Sequence, residues 1–535
     1  MKKQSLTKGF AVLSAASIIV KIMSLLYIPF LIAIIGEEGN GIYAAANQVY
    51  VFIYVIVNSG IPVAISKSIS ELIAMENYKD ALRTFKIARS YLIVLGLVLG
   101  VLMFITANPV ANWLHFDKSF LAIAALSPTL FITAVVSSYR GYFQGHGNMT
   151  PTAVSQVIEQ IVNIIFTILF TSLLMRISVE AACAGATIGT SLGALAAGIY
   201  LIYSFNRNKT YQKLEKTRGA KAKVLPYKHL AKKLLEYSIP ITICVAAQYA
   251  GNIIDLWNTK GRLLAAGIED TQATIMFNYL YKYQQLMNAP ISIAAALAAA
   301  IFPIISAAVV LHDTEQVERK TNYAFRLCFL IAIPSAVGFS VLSGPIYSIL
   351  KYGRGYELMM FGSAVLVFAS ISQIQTSILQ GAGRLYKATF YLLLGIVAKI
   401  IVNYFLIGIN AINVKGAIIG SIVGFSIPIV LNTIEIKKHV GANINLFKQA
   451  AKPFISSVIM GVTVWIVYKA FYFALILIAG SYMANALATV ISVLVGVVVF
   501  MFVMILVKGI TKEDLVDMPA RLRTLIPKKV LSMIK

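Results

Sequence analysis

The sequence predicts an all-α polytopic membrane protein with fourteen transmembrane helices. Two six-helix repeats form N- and C-lobes, and two extra helices follow at the C-terminal end. Three observations predict this. Hydrophobic residues make up 59% of the 535 and charged residues only 13%. Apolar runs of about 20 residues, enough to cross the hydrocarbon core as a helix, recur from end to end. Short motifs also return in the same order at a nearly constant offset.

The spans fall at 10–35, 41–66, 89–108, 118–138, 152–175, 182–204, 234–257, 274–303, 321–350, 357–380, 389–408, 414–434, 453–475 and 480–507. The first is too long for a signal-peptide core and lacks a cleavage site, so it is expected to be retained. Cys183, Cys244 and Cys328 are widely separated in or near apolar spans, and the five histidines form no ligand-spaced cluster. Neither disulfides nor a metal site is expected.

The net charge of +25 raises the question of nucleic acid, and its distribution argues against it. With the N-terminus inside, the inner loops and tails hold 35 Lys/Arg and the outer loops hold 7. This asymmetry is the positive-inside rule and predicts cytoplasmic termini in the cell membrane. Attraction to anionic membrane lipid follows as a by-product, and no nucleic-acid partner is expected.

The duplication rests on three matches. Gln144-Gly145-His146-Gly147 after span 4 returns as Gln380-Gly381-Ala382-Gly383 after span 10, an offset of 236. Asn108-Pro109-Val110 and Gly344-Pro345-Ile346 share that offset, and Gly185–Thr190 matches Gly416–Ser421 five residues out of register. The expected domains are an N-lobe (1–204), a basic linker (205–233), a C-lobe (234–438), spans 13–14 (439–507) and an amphipathic interfacial tail (508–535). Parallel repeats usually place substrate between their halves.

Four lysines interrupt apolar stretches: Lys21, Lys282, Lys399 and Lys469. An ammonium in the bilayer interior is expensive and normally faces a wet cavity with a partner, so an anionic substrate is the first expectation. Polar residues at helical spacing mark faces turned from lipid: Ser17, Lys21 and Ser24 on span 1; Asn252 and Asp255 on span 7; Asn278, Lys282 and Gln285 on span 8; Glu159 on span 5; Lys399 and Asn403 on span 11. The bland alternative is interhelical hydrogen bonding. Asp255 and Glu159 are candidate proton or sodium sites, and equally candidates for permanent ionisation beside a cation. Lys469 can snorkel to the interface. No P-loop, Gly-x-Ser-x-Gly or Asp-rich motif occurs, and no cofactor or enzymatic activity is expected.

The stretch from Arg140-Gly141-Tyr142-Phe143-Gln144-Gly145-His146-Gly147 to Pro151-Thr152-Ala153 resembles the multidrug/oligosaccharidyl-lipid/polysaccharide exporter superfamily. Ile35-Gly36-Glu37-Glu38-Gly39, Gly60-Ile61-Pro62 and Leu342-Ser343-Gly344-Pro345 resemble its polysaccharide-biosynthesis branch, which holds stage V sporulation protein B and the lipid II flippases. The resemblance implies alternating access, a cationic cavity lined by spans 1, 2, 7 and 8, and a polyprenyl-tail groove at spans 13–14. Lipid II flippases use arginines in spans 1, 2 and 8. Here Lys21 stands at the first position, Tyr27 at the second in span 1, and Gln285 where span 8 would carry arginine, with Lys282 one turn away. Lysine lacks the bidentate fork that suits phosphate. Relatives that bind sodium do so through a span-7 carboxylate and span-11 Asn/Asp residues. Asp255 matches the first and Lys399 and Asn403 the second, so Lys399 is expected to pair with Asp255 and replace the ion.

The function expected is a flippase moving a polyprenyl-pyrophosphate-linked glycan, lipid II or a related cell-envelope precursor, from the inner to the outer leaflet. A cation-coupled multidrug exporter and a non-transporting scaffold are the alternatives. The expected partners are the lipid-linked substrate, membrane lipids, and a coupling cation or the membrane potential.

Overall fold

A computed structural model describes residues 6–207, 225–310, 314–441 and 443–509. Most of the basic linker and nearly all of the C-terminal tail fall outside the described residues.

Fifteen α-helices are described, and no strand occurs among the described residues. They are α1 (Leu6–Asn58), α2 (Gly60–Ala74), α3 (Tyr78–Ile105), α4 (Ala107–Trp113), α5 (Phe120–Gly145), α6 (Thr150–Leu174), α7 (Val179–Arg207), α8 (Tyr227–Ala265), α9 (Asp270–Val310), α10 (Thr314–Val341), α11 (Ser343–Ile349), α12 (Tyr356–Gly381), α13 (Leu385–Ile407), α14 (Gly416–Glu435) and α15 (Leu446–Leu506).

Two helices are far too long for a single crossing. At about 1.5 Å per residue α1 would run about 80 Å and α15 about 90 Å, against a hydrocarbon core of about 30 Å. Each is broken by a glycine at positive φ: Gly36 (φ 71°, ψ −175°) and Gly480 (φ 72°, ψ 162°). The first break falls between expected spans 1 and 2, and the second at the first residue of expected span 14. Eleven helical stretches are long and apolar enough to cross a membrane. Two of them hold the broken helices and count twice, and α9 supplies the fourteenth crossing.

The duplication is visible in the backbone. The turns after α5 and α12 close with the same two hydrogen bonds. In the first, Gly147 N donates to Gln144 O and Asn148 N to Phe143 O. In the second, Gly383 N donates to Gln380 O and Arg384 N to Leu379 O. Both are Schellman caps, and each needs the left-handed glycine found there (Gly147 φ 70°, Gly383 φ 74°). The seven-residue helices α4 and α11 also lie 236 apart. So do the left-handed residues that follow them, His115 and Lys351.

Two compact units divide at Asn278/Tyr279, later than the basic linker where the repeat divides. In the first unit α8 packs against α1 and α2, with Gly60 set against the carbonyl of Ser238. Span 7 thus belongs to the first unit by packing and to the second repeat by sequence. The first core gathers Phe85, Tyr139 and Tyr142 with aliphatic residues of α2, α3, α5 and α7. The second joins α9, α10, α12 and α14 around Phe325 and Phe329. Large apolar side chains such as Phe405 and Leu494 remain exposed, as expected of faces turned to lipid.

Candidate functional site

In the first unit, the break at Gly36 carries Glu37 and Asn40 to the start of α9. Asn278 Nδ2 donates to Glu37 Oε2 at 2.6 Å, and Asn40 Nδ2 donates to Asn278 Oδ1 at 2.5 Å. Asn278 is fully buried and serves as a fastener there. Nearby loops close with Lys118–Glu38 at 2.6 Å and Lys260–Asp270 at 2.8 Å. These residues come from connections 1–2, 3–4 and 7–8, so odd-numbered connections meet at one end, as the span parity requires.

Lys21 lies midway along the first arm of α1. Its side chain is exposed and has no hydrogen bond or ion pair among the described residues. Ser17 and Ser24 share its face, Ser17 exposed and Ser24 half-buried. On α8, Asn252 is exposed while Asp255, three residues on, is fully buried.

Glu159 has a partner the span boundaries hid. Arg140, assigned by sequence to the loop after span 4, lies inside α5, and its Nη2 reaches Glu159 Oε2 at 2.6 Å. Its Nε donates to Ser155 Oγ at 3.1 Å. The signal that could have found it is symmetry. Arg140 stands five residues before the end of α5 at Gly145 and Ser155 five after the start of α6 at Thr150, so an antiparallel hairpin brings them level. At that turn His146 is driven down to a pKa of about 4 by burial, opposed by its hydrogen bond to the Tyr142 carbonyl. The ring is therefore neutral at pH 7.

In the second unit, Lys282 is sealed at 1% exposure. Its ammonium donates to the carbonyls of Tyr352 (2.5 Å) and Arg354 (3.2 Å) and lies 4.9 Å from the Tyr279 ring centroid. The receiving loop includes Lys351, Gly353 and Gly355 at positive φ, so its carbonyls turn toward the helix. Gln285, one turn on, is half-buried. Lys399 and Asn403 are buried on the face of α13 that meets the glycines of α14. Gly424 sits 3.0 Å, at its would-be Cβ, from Lys399 Cβ, and Gly420 abuts Asn403 Oδ1. The same contact recurs in the first unit, where Gly189 and Gly193 meet Thr167, Asn163 and Glu159. Lys399 thus stands where the first repeat has Asn163, one helical turn from the Glu159 position. Lys469 is exposed and lies over the Trp465 ring at 4.4 Å, as an interfacial lysine should.

The comparisons with known proteins agree with this architecture. The family model described as "Polysaccharide biosynthesis protein" matches residues 6–309. The chain is 27% identical to the lipid II flippase MurJ of Bacillus subtilis (strain 168), covering 93% of this chain and 94% of that protein. It is 26% identical to stage V sporulation protein B of the same strain, over 86% and 89%. Among solved structures, lipid II flippase MurJ in an inward closed conformation matches with a TM-score of 0.67 at 14% identity, covering 92% of this chain and 98% of that one. An inward-facing multidrug resistance MATE family transporter of the MOP superfamily also reaches 0.67, at 16% identity and 81% and 98% coverage. At these identities the structural matches establish the fold.

Proposed function

The chain belongs to the polysaccharide biosynthesis protein family, and from that premise we propose that it is a flippase for a polyprenyl-pyrophosphate-linked glycan. It carries lipid II or a related cell-envelope precursor from the inner to the outer leaflet by alternating access, with both termini in the cytoplasm. The observation that carries this reading is full-length similarity to a lipid II flippase, including the two spans added after the repeat.

Lys21 is the cation best placed to take the diphosphate, because it is exposed and uncommitted while Lys282 is engaged by carbonyls. In the first unit, Ser24 and Asn252 are neutral groups left half-buried and exposed for the head group, whereas Asn278 ties α9 to the start of the second arm of α1; in the second unit, Gln285 is the half-buried neutral group. Coupling to a cation or to the membrane potential falls to Asp255, Lys399 and Asn403, whereas Glu159 takes the alternative role expected of it, ionised beside a cation. A drug exporter is supported by the MATE-like fold. The accessible charge on span 1 favours an anionic cargo instead.

Complementation of a strain depleted of its lipid II flippase tests the proposal. Wild type should restore growth and Lys21→Ala should not, at equal membrane expression. Equal rescue by Lys21→Ala would point to a scaffold or to a different diphosphate ligand.

A further inference from the structure

The Arg140–Glu159 pair does more than close a helix hairpin. A staple would be sealed, yet the Glu159 side chain keeps 26% of its surface exposed. Arg140 spends two of its five N–H groups, on Ser155 and Glu159, which leaves three donors aligned by those bonds. On the same turns of α6, Gln156 Oε1 and Gln160 Nε2 are buried without a hydrogen-bond partner, and Gln160 is itself 8% exposed. A buried amide left unmatched is costly, so two on the same turns of α6 as one ion pair point to a polar guest.

Tyrosines frame this set. Tyr54 of α1 lies within electrostatic reach of Glu159, Arg140 and Tyr249 of α8. The Tyr50 and Tyr54 rings lie 5.5 Å apart, and α1 packs directly on α5, α6 and α8. Tyr249 is exposed and Tyr54 half-buried, so the tyrosine side of the set is not sealed.

The chemistry of the set selects its guest. The ion pair is neutral overall, so it offers a diphosphate little net attraction. It presents a carboxylate acceptor beside a guanidinium donor, with amide and phenol groups around them. Vicinal sugar hydroxyls, which both donate and accept, match that arrangement, and an acetamido group matches the spare amides. Tyrosine rings offer flat faces to sugar C–H groups.

We propose that Arg140, Glu159, Gln156, Gln160 and Tyr54 form a glycan-binding subsite in the first unit, distinct from the lysine that holds the diphosphate. It rests on the flippase reading and names which part of the cargo these residues hold.

The test is equilibrium binding of lipid II and of glycan-free undecaprenyl diphosphate to the purified full-length protein. Wild type should prefer lipid II. Glu159→Gln and Tyr54→Phe should each weaken lipid II binding by about tenfold and leave undecaprenyl diphosphate unchanged. Unaltered preference in both variants overturns the subsite, as does equal loss of both ligands. Tyr54→Phe keeps the ring and decides the matter if Glu159→Gln does not fold. Wild type that binds neither lipid overturns the flippase reading itself, an outcome separable from loss of preference alone.

Discussion

Lys282 and Lys21 show how one residue type does two jobs inside apolar spans. Lys282 is surrounded by carbonyl oxygens and tyrosine rings, so its removal leaves buried acceptors unmatched. Lys282→Gln should destabilise the protein by about 1–3 kcal/mol, read as a lower unfolding midpoint in detergent. Lys21→Ala, at an exposed and unpaired position, should change stability by no more than about 0.5 kcal/mol. The reverse order would mean that the two roles have been exchanged. The sequence showed that both lysines sit inside spans, because hydropathy is a local property. It could not show which was free, because the carbonyls that engage Lys282 lie about 70 residues away and expose themselves only through the left-handed turn at 351–355. Arg140 was missed for a related reason. Its helix runs past the apolar stretch, so a boundary drawn on hydropathy left it in a loop.

At the scale of elements, glycine sets both the breaks and the closest contacts. Gly36 and Gly480 break two long helices into paired spans, in conformations that any side chain would strain. Gly416, Gly420 and Gly424 line the face of α14 that touches α13, a small-residue interface suited to helices without a hydrophobic force between them. Gly420→Ala would drive a methyl group into Asn403 Oδ1 and should cost about 1–3 kcal/mol. Gly338→Ala is the matched control, since nothing lies within 4 Å of its would-be Cβ and alanine is the better helix former. Equal effects at both positions would contradict the close contact. These elements were legible in the sequence through spacing alone: the repeated Gly-x-Gly turn and the matched glycine rows reappear as identical caps and equivalent interfaces.

At the scale of the whole molecule, the fourteen crossings and the duplication were readable because both are written in runs and repeats. The packing boundary was not, since the chain joins span 7 to the first unit by tertiary contacts that leave no mark on hydropathy. The proposed cargo adds what physics at single residues does not: an anionic diphosphate, a polar glycan and a long apolar tail. The parts described here answer to the first two: an uncommitted ammonium on α1, and a neutral ion pair with unmatched amides between α5 and α6. The most direct test is transbilayer movement of lipid II in vesicles reconstituted with the purified protein, scored by accessibility of the glycan at the opposite leaflet. Protein-dependent movement is expected, and Lys21→Ala should abolish it. Movement no faster than in protein-free vesicles, with correctly folded wild type and every related polyprenyl-linked glycan offered in turn, would contradict it.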